Sequence, residues 1–238
     1  MAIVQCRDWY DAAYRRDGGR NYPNEELLRF FGRRFFPIPP SQRRAIRILE
    51  AGCGTGGNLW MISREGFDAH GVDLAPAAVE ICRARLAAWG LGDQATITVG
   101  NMTAIAYPDR SFDAIVDVFS AYCLPAAPFR LFLDEVGRLL RPGGRFFTYT
   151  PSKASDAWLN PGGARMIDGS TLEGIKRETS PFAGNAYPFR FVTPDELTDE
   201  LAACAMRVDY AERVGRTYGH GGEYFEFVVI EAVKLPTR

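Results

Sequence analysis

Histidine is nearly absent from this chain: His70 and His220 are the only two in 238 residues. That is too few for a histidine-rich metal centre. Cysteine is scarce as well. The five residues (Cys6, Cys53, Cys82, Cys123, Cys204) are odd in number and no two are spaced C-x-x-C. A disulfide framework or a zinc site is therefore not expected, and a reducing cytoplasm fits best. No run approaches the ~18 apolar residues that span a bilayer. The first twenty residues also lack the long apolar stretch of a signal peptide. An excess of one charge is missing too, with 28 Lys+Arg against 29 Asp+Glu and a formal net charge of −1. Neither a membrane nor a nucleic acid gathered by a global basic field is an expected partner. Arg33, Arg34, Arg43, Arg44 and Arg47 form a local basic cluster, read as a solvated surface.

What is present is a regular alternation of strand and helix patterns. Residues 1–40 are aromatic and arginine-rich and end in Pro37, Pro39 and Pro40, which make a stiff connection. They are read as an N-terminal cap with a helical segment, ahead of a single domain over 41–238. AIRILEA (45–51), FDAHGVDL (67–74), QATITVG (94–100), SFDAIVDVFS (111–120) and RFFTYT (145–150) read as strands, with His70 as a surface or strand residue. Helices fall between them at 57–65, 76–89 and 128–140. The middle one has Pro76 at its start and an apolar stripe of Ala78, Cys82, Leu86 and Trp89. Such alternation predicts an α/β fold with a doubly wound, mostly parallel sheet. Residues 151–192 break the rhythm and are read as a lid or substrate cover. The Thr193-Pro194-Asp195-Glu196 capping box starts a further helix. RVDYAERVG (207–215) and EYFEFVVIEAV (223–233), joined by a glycine-rich turn, form a closing antiparallel hairpin.

The densest chemical signal is Leu49-Glu50-Ala51-Gly52-Cys53-Gly54-Thr55-Gly56-Gly57-Asn58, where a strand meets a glycine-rich turn and then a helix. Glycines let backbone approach a ligand, and the helix N-terminus offers free N–H groups. Alone the pattern is ambiguous. Gly52, Gly54 and Gly57 also satisfy the dinucleotide fingerprint, and Asp73 follows at the spacing of its ribose-binding acid. A nicotinamide-dependent oxidoreductase is thus the alternative enzyme class, and a catalytically inactive cofactor-binding partner subunit the alternative outside catalysis. Tyr149-Thr150-Pro151-Ser152-Lys153 fits the Y-x-x-x-K pair of short-chain dehydrogenases. That pair needs a helix, which Pro151 disfavours.

Four ordered motifs resolve the ambiguity, and together they resemble the class I (Rossmann-like) S-adenosylmethionine-dependent methyltransferases of small-molecule type. Glu50 with Gly52, Gly54 and Gly56 matches the first. Asp73 in GVDLAP matches the second. VGNMTAIAYPDRSFDAIVD matches the third, with Asn101 in place of the usual aspartate, and Leu140-Arg141-Pro142-Gly143-Gly144 the fourth. The resemblance implies a seven-stranded sheet whose last strand is antiparallel, and S-adenosylmethionine as cofactor, leaving as S-adenosylhomocysteine. It implies that Gly52, Cys53, Gly54, Gly56 and Asn58 form the cofactor turn and that Glu50 helps hold the ammonium end. Asp73 is implied to accept the ribose hydroxyls, Leu74 and Met102 to sandwich the adenine, and Asn101 to bond its amine. Asp117 is implied to lie beside the transferring methyl; the alternative is a buried strand-end aspartate that caps the next turn. Tyr14, Arg20 and Tyr22 belong to an aromatic N-terminal segment of the kind that folds over cofactor and acceptor.

Methyl transfer from a sulfonium is an in-line displacement, so the protein mainly supplies alignment and a dry site. A small-molecule acceptor is expected, with O-methylation favoured over N-methylation. Tyr22, Tyr122, Arg165 and Tyr187 are candidate acceptor contacts, and Ser155, Trp158 and Arg190 further lid contributors. A hydroxyl acceptor needs a base. His220, in the last hairpin's turn, is the first candidate and Asp117 the second.

Overall fold

A computed structural model describes residues 2–19 and 21–236. Five strands form the parallel body: β1 (Arg47–Ala51), β2 (Asp68–Asp73), β3 (Ala95–Val99), β4 (Phe112–Val118) and β5 (Leu140–Pro151). Two long strands, β9 (Met206–Tyr218) and β10 (Glu223–Lys234), complete the sheet. The order is β3-β2-β1-β4-β5-β10-β9, with β10 antiparallel to both its neighbours. This is the expected seven-stranded, doubly wound sheet with an antiparallel last strand. The chain reverses its direction of travel across the sheet between β1 and β4. A crevice opens there, above the C-terminal ends of the strands.

Helices cover both faces. On one lie α2 (Glu25–Arg34), α4 (Gly57–Arg64) and α5 (Pro76–Ala88), with Leu27, Phe30, Phe31, Leu59 and Leu86 fully buried. On the other lie α6 (Ala126–Leu139) and α8 (Pro194–Ala203), burying Phe132, Leu133, Val136, Leu197 and Leu201. Each such side chain stabilises the fold by roughly 1.5–3 kcal/mol. The capping box of α8 forms as expected: Glu196 N donates to Thr193 Oγ1 and Thr193 N to Glu196 Oε2. Among the described residues no helix is long and apolar enough to cross a membrane.

Several expectations are corrected. The cap holds two substantial helices, α1 (Ala2–Asp17) and α2, and a short one, α3 (Pro40–Arg43). Asn24 starts α2 by accepting from Glu26 N and Leu27 N. The basic cluster is a solvated surface only in part: Arg44 is exposed, but the others are engaged. Arg33 and Arg34 pair with the buried Glu231 of β10 at 2.6 and 2.8 Å, and Arg43 is itself buried against Glu65. A fully buried carboxylate needs such partners, and here they dock α2 onto the sheet. Trp89 leaves the α5 stripe: it is exposed and packs edge-on against Trp60. The stretch 151–192 carries α7 (Asp156–Leu159) and a three-stranded sheet of β6 (Met166–Asp168), β7 (Thr171–Leu172) and β8 (Phe189–Arg190). Leu172, Ile175, Phe189 and Phe191 join the core. Ser152 and Ser155 bond Glu226, and Arg177 and Thr179 bond Glu223, tying the insertion to β10.

Candidate active site

The site begins where β1 ends. Gly52, Gly54 and Gly56 all take left-handed backbone (φ 72°, 51° and 86°), which a side chain resists. The turn is pinned from β2: Gly52 N and Cys53 N both donate to Val72 O, and Gly54 N to Asp73 Oδ2 at 2.8 Å. Space is equally tight at Gly52, where a Cβ would collide with Ser120 Oγ. At Gly54 a Cβ would lie 3.1 Å from the Tyr14 hydroxyl, so α1 closes over the turn.

Two carboxyls face this backbone. Glu50 is buried; Oε1 accepts from Asn58 Nδ2 at 2.6 Å and Oε2 has no partner. Burial raises its pKa well above the usual carboxylate range, against the bond from Asn58. Asp73 ends β2 and is also buried; its Oδ1 accepts from Ala75 N at 2.9 Å. Burial raises its pKa too, opposed by backbone N–H groups of Ala75, Gly54 and Leu74.

Above the strand ends lies a cavity of about 480 Å³. Its lining combines a polar, glycine-rich set, Glu50, Gly52, Cys53, Gly54, Asn58, Asp73, Leu74, Asn101 and Met102, with an aromatic and proline-rich set, Tyr10, Tyr22, Phe119, Tyr122, Leu124, Pro125, Pro128 and Pro188. Tyr14 lies on the wall as well. The Tyr10 and Tyr122 hydroxyls share a hydrogen bond at 3.0 Å, joining α1 to the loop after β4. Burial, the largest cause, raises the pKa of Tyr10, which keeps it neutral.

The structure thus gathers Tyr14, Glu50, Gly52, Cys53, Gly54, Asn58, Asp73, Leu74, Asn101, Met102, Tyr22 and Tyr122 around one cavity. Other expected residues stand apart. Gly56 caps α4 from below, where a Cβ would meet Cys82 Sγ at 2.5 Å. Asp117 is buried beneath the crevice with both oxygens engaged, Oδ1 by Ser120 N and Ala121 N and Oδ2 by Thr148 Oγ1. It braces the turn after β4 and does not line the cavity. Arg165 is exposed and pairs with Glu173. Tyr187 packs against the rings of Trp9 and Tyr10, outside the lining. Arg190 is buried against Glu200 and over the Phe129 ring. His220 sits exposed at the hairpin tip. The hairpin does end on the cavity side of the sheet, because β9 and β5 are each antiparallel to β10. It overshoots, however: Glu223 pairs with Tyr218 four residues beyond the Phe227–Pro151 pair, roughly 13 Å further out. Arg20 lies outside the described residues. Tyr10, Asn24, Phe119 and Pro188 are lining residues that no motif singles out.

A glycine turn held from β2, acids at the ends of β1 and β2, and a seven-stranded sheet with an antiparallel last strand define the class I methyltransferase fold. Residues 48–144 match a family model described as a methyltransferase domain. Over these residues and in its fold, the chain is similar to the class I, Rossmann-like S-adenosylmethionine-dependent methyltransferases. It is 38% identical over 109 residues to a fatty-acid O-methyltransferase of Mycolicibacterium smegmatis (45% of this chain, 37% of that one). It is 33% identical over 142 residues to a phthiotriol/phenolphthiotriol dimycocerosates methyltransferase of Mycobacterium tuberculosis (54% and 50%). The chain therefore aligns with half or less of the length of these relatives. Among solved structures it resembles a Methanosarcina mazei S-adenosylmethionine-dependent methyltransferase. There the TM-score is 0.65 and the identity 22%, covering 80% of this chain and 93% of that one. A structure described under the conversion of a disulfide bond into a thioacetal group during echinomycin biosynthesis gives 0.69 at 19% identity, over 97% and 92%. Both likenesses speak for the fold.

Proposed function

We propose that this protein methylates the oxygen of an apolar small molecule, with a carboxylic acid as the preferred acceptor class and S-adenosylmethionine as donor. The observation that carries the reading is one cavity whose lining combines a glycine-rich polar set of residues with an aromatic, proline-rich one. The polar set fits the cofactor. Glu50 Oε2, buried and unpartnered, suits an ammonium group, and Asp73 offers acceptor lone pairs to ribose hydroxyls. Gly52 and Gly54 present bare backbone, and Leu74 and Met102 supply apolar contact for a base. Bound S-adenosylmethionine supplies an activated methyl on a sulfonium.

The protein's own residues then bind, orient and exclude water. The aromatic set supplies apolar walls, and the Tyr10–Tyr122 pair supplies neutral hydroxyls for an acceptor oxygen. Neither His220 nor Asp117 reaches the cavity. A carboxylate fits that arrangement, because it attacks without first losing a proton to the protein. The name of the mycolicibacterial relative, a fatty-acid O-methyltransferase, supports the same class. We further propose that α1 and the Tyr187–Pro188 edge of residues 151–192 form the cover over this cavity.

Calorimetry with S-adenosylhomocysteine and with nicotinamide dinucleotides tests the cofactor. Transfer of labelled methyl to matched acids, alcohols and amines of one carbon skeleton tests the acceptor. Preference for the alcohol or amine would overturn the acid reading, and absence of S-adenosylhomocysteine binding the whole proposal.

A further inference from the structure

Phe119 is the first residue after β4, and it takes left-handed backbone at φ 55°. An aromatic residue there is strained, and such strain persists only where the surroundings impose it. Its N–H donates to Tyr149 O at 2.8 Å, which fixes the backbone. Its ring lies flat on Tyr122 at 4.2 Å and 8°, and meets Phe182 at 5.0 Å and Phe227 at 5.4 Å. Phe119 lines the main cavity, as Tyr122 does. It also lines a second cavity of about 220 Å³, where the rings of Tyr149, Phe182, Tyr218 and Phe227 meet the polar Asn24, Glu25, Glu26 and Arg216. Among the described residues, only Phe119 and Asn24 line both. Asn24 is committed to capping α2 and, through its N–H, to Asn58 Oδ1. The Phe119 ring is held by ring contacts.

We propose that Phe119 is the residue that sets the length of acceptor this protein takes: its ring partitions the main cavity from the second cavity, and the apolar end of the acceptor stops against it. The inference rests on the apolar-acid reading above and goes beyond it by naming the specificity-determining side chain. A chain inside the main cavity gains roughly fourfold in affinity for each methylene it buries. Once its end reaches the ring, further methylenes gain nothing.

The experiment is calorimetric titration of straight-chain carboxylic acids, from octanoate to hexadecanoate, into protein saturated with S-adenosylhomocysteine. Wild type should show rising affinity and then a break at one length. Phe119→Gly removes the ring and is at ease at positive φ, so the turn after β4 is kept, and retained S-adenosylhomocysteine binding checks that the variant is folded. Its break should move to acids at least two carbons longer. Phe119→Trp should move the break to shorter acids. Affinity for S-adenosylhomocysteine should stay within about twofold in both variants. A break at an unchanged length in both variants, or no break in wild type, overturns the role of Phe119 and leaves the acceptor reading standing. Failure of every acid to bind wild type that still binds S-adenosylhomocysteine overturns both.

Discussion

Glu50 Oε1 accepts a 2.6 Å hydrogen bond from Asn58 Nδ2, while Oε2 of the same carboxyl is buried with no partner. Half of this group is satisfied by the helix that follows the glycine turn, and half faces the place proposed for a cationic ligand. Burial raises the Glu50 pKa, so the neutral acid is favoured in the free protein. An ammonium group against it favours the carboxylate instead. Binding of S-adenosylmethionine should therefore release a proton over the pH range in which free Glu50 is protonated, and affinity should fall as pH falls. Titrations in buffers of different ionisation enthalpy measure that proton. Glu50→Gln should abolish the release and weaken binding by about 1.5–3 kcal/mol. Equal proton release in the variant would assign the linkage to another group.

Asp73 joins the second strand to the turn from the first. Its oxygens accept from Gly54 N and Ala75 N, so Asp73→Ala leaves two buried N–H groups without an acceptor. We expect a stability loss of about 1–3 kcal/mol and a loss of cofactor affinity of about 1.5–3 kcal/mol. Asp73→Asn keeps one acceptor oxygen and should recover more of the stability than of the affinity. Thermal unfolding and calorimetry on both variants separate the effects. Unchanged affinity in Asp73→Ala, with the fold intact, would remove Asp73 from the cofactor site.

The glycine-rich part of the cavity lining is legible in the sequence because it hangs on backbone geometry, and glycines and strand-end acids mark that geometry directly. The rest is written differently. The helical segment expected in residues 1–40 is two helices, and the second carries its own signal: Asn24 as cap and Leu27, Phe30 and Phe31 at helical spacing. Residues 151–192 lack a period because Leu172, Ile175, Phe189 and Phe191 each reach the core from short, irregular segments. Phe119 is invisible for a different reason. Its importance lies in a positive φ and a ring shared between two cavities, and neither leaves a pattern along the chain. Asp117 shows the converse: a strand-end acid stands where a functional one is expected, yet its oxygens are occupied by its own turn.

That occupancy predicts a structural role for Asp117 with a measurable pH signature. Burial raises its pKa to about 6, against hydrogen bonds from Ala121, Thr148 and Ser120. In the unfolded chain it is about 3.9. The folded state thus holds the proton more tightly. The contribution of this group to stability is greatest below about pH 4, declines as pH rises to about 6, and is then constant. Asp117→Asn keeps an acceptor for the turn and removes the titration. The variant should gain on wild type by up to about 3 kcal/mol between pH 4 and 7. Chemical denaturation at the two pH values gives the difference. A constant difference would mean that Asp117 does not titrate in this window.

His220 tests whether the protein needs a base at all. It lies at the right end of the sheet, because the β9–β10 turn projects beyond the C-terminal end of β5. Yet the strands run on past that end, and the histidine is exposed at the tip in left-handed backbone (φ 58°). A general base must come within hydrogen-bond reach of the attacking oxygen, directly or through one water. An exposed tip roughly 13 Å beyond the last β5 pair does not provide that reach. Asparagine tolerates the left-handed region, so His220→Asn preserves the tip. We expect turnover within about twofold of wild type across pH 6–9, with no pH step lost from the profile. A fall of about 10²-fold or more, with cofactor affinity retained, is the signature of a lost general base. That result would require the hairpin to fold back over the cavity during turnover, and it would replace the carboxylic acid with an acceptor that must be deprotonated.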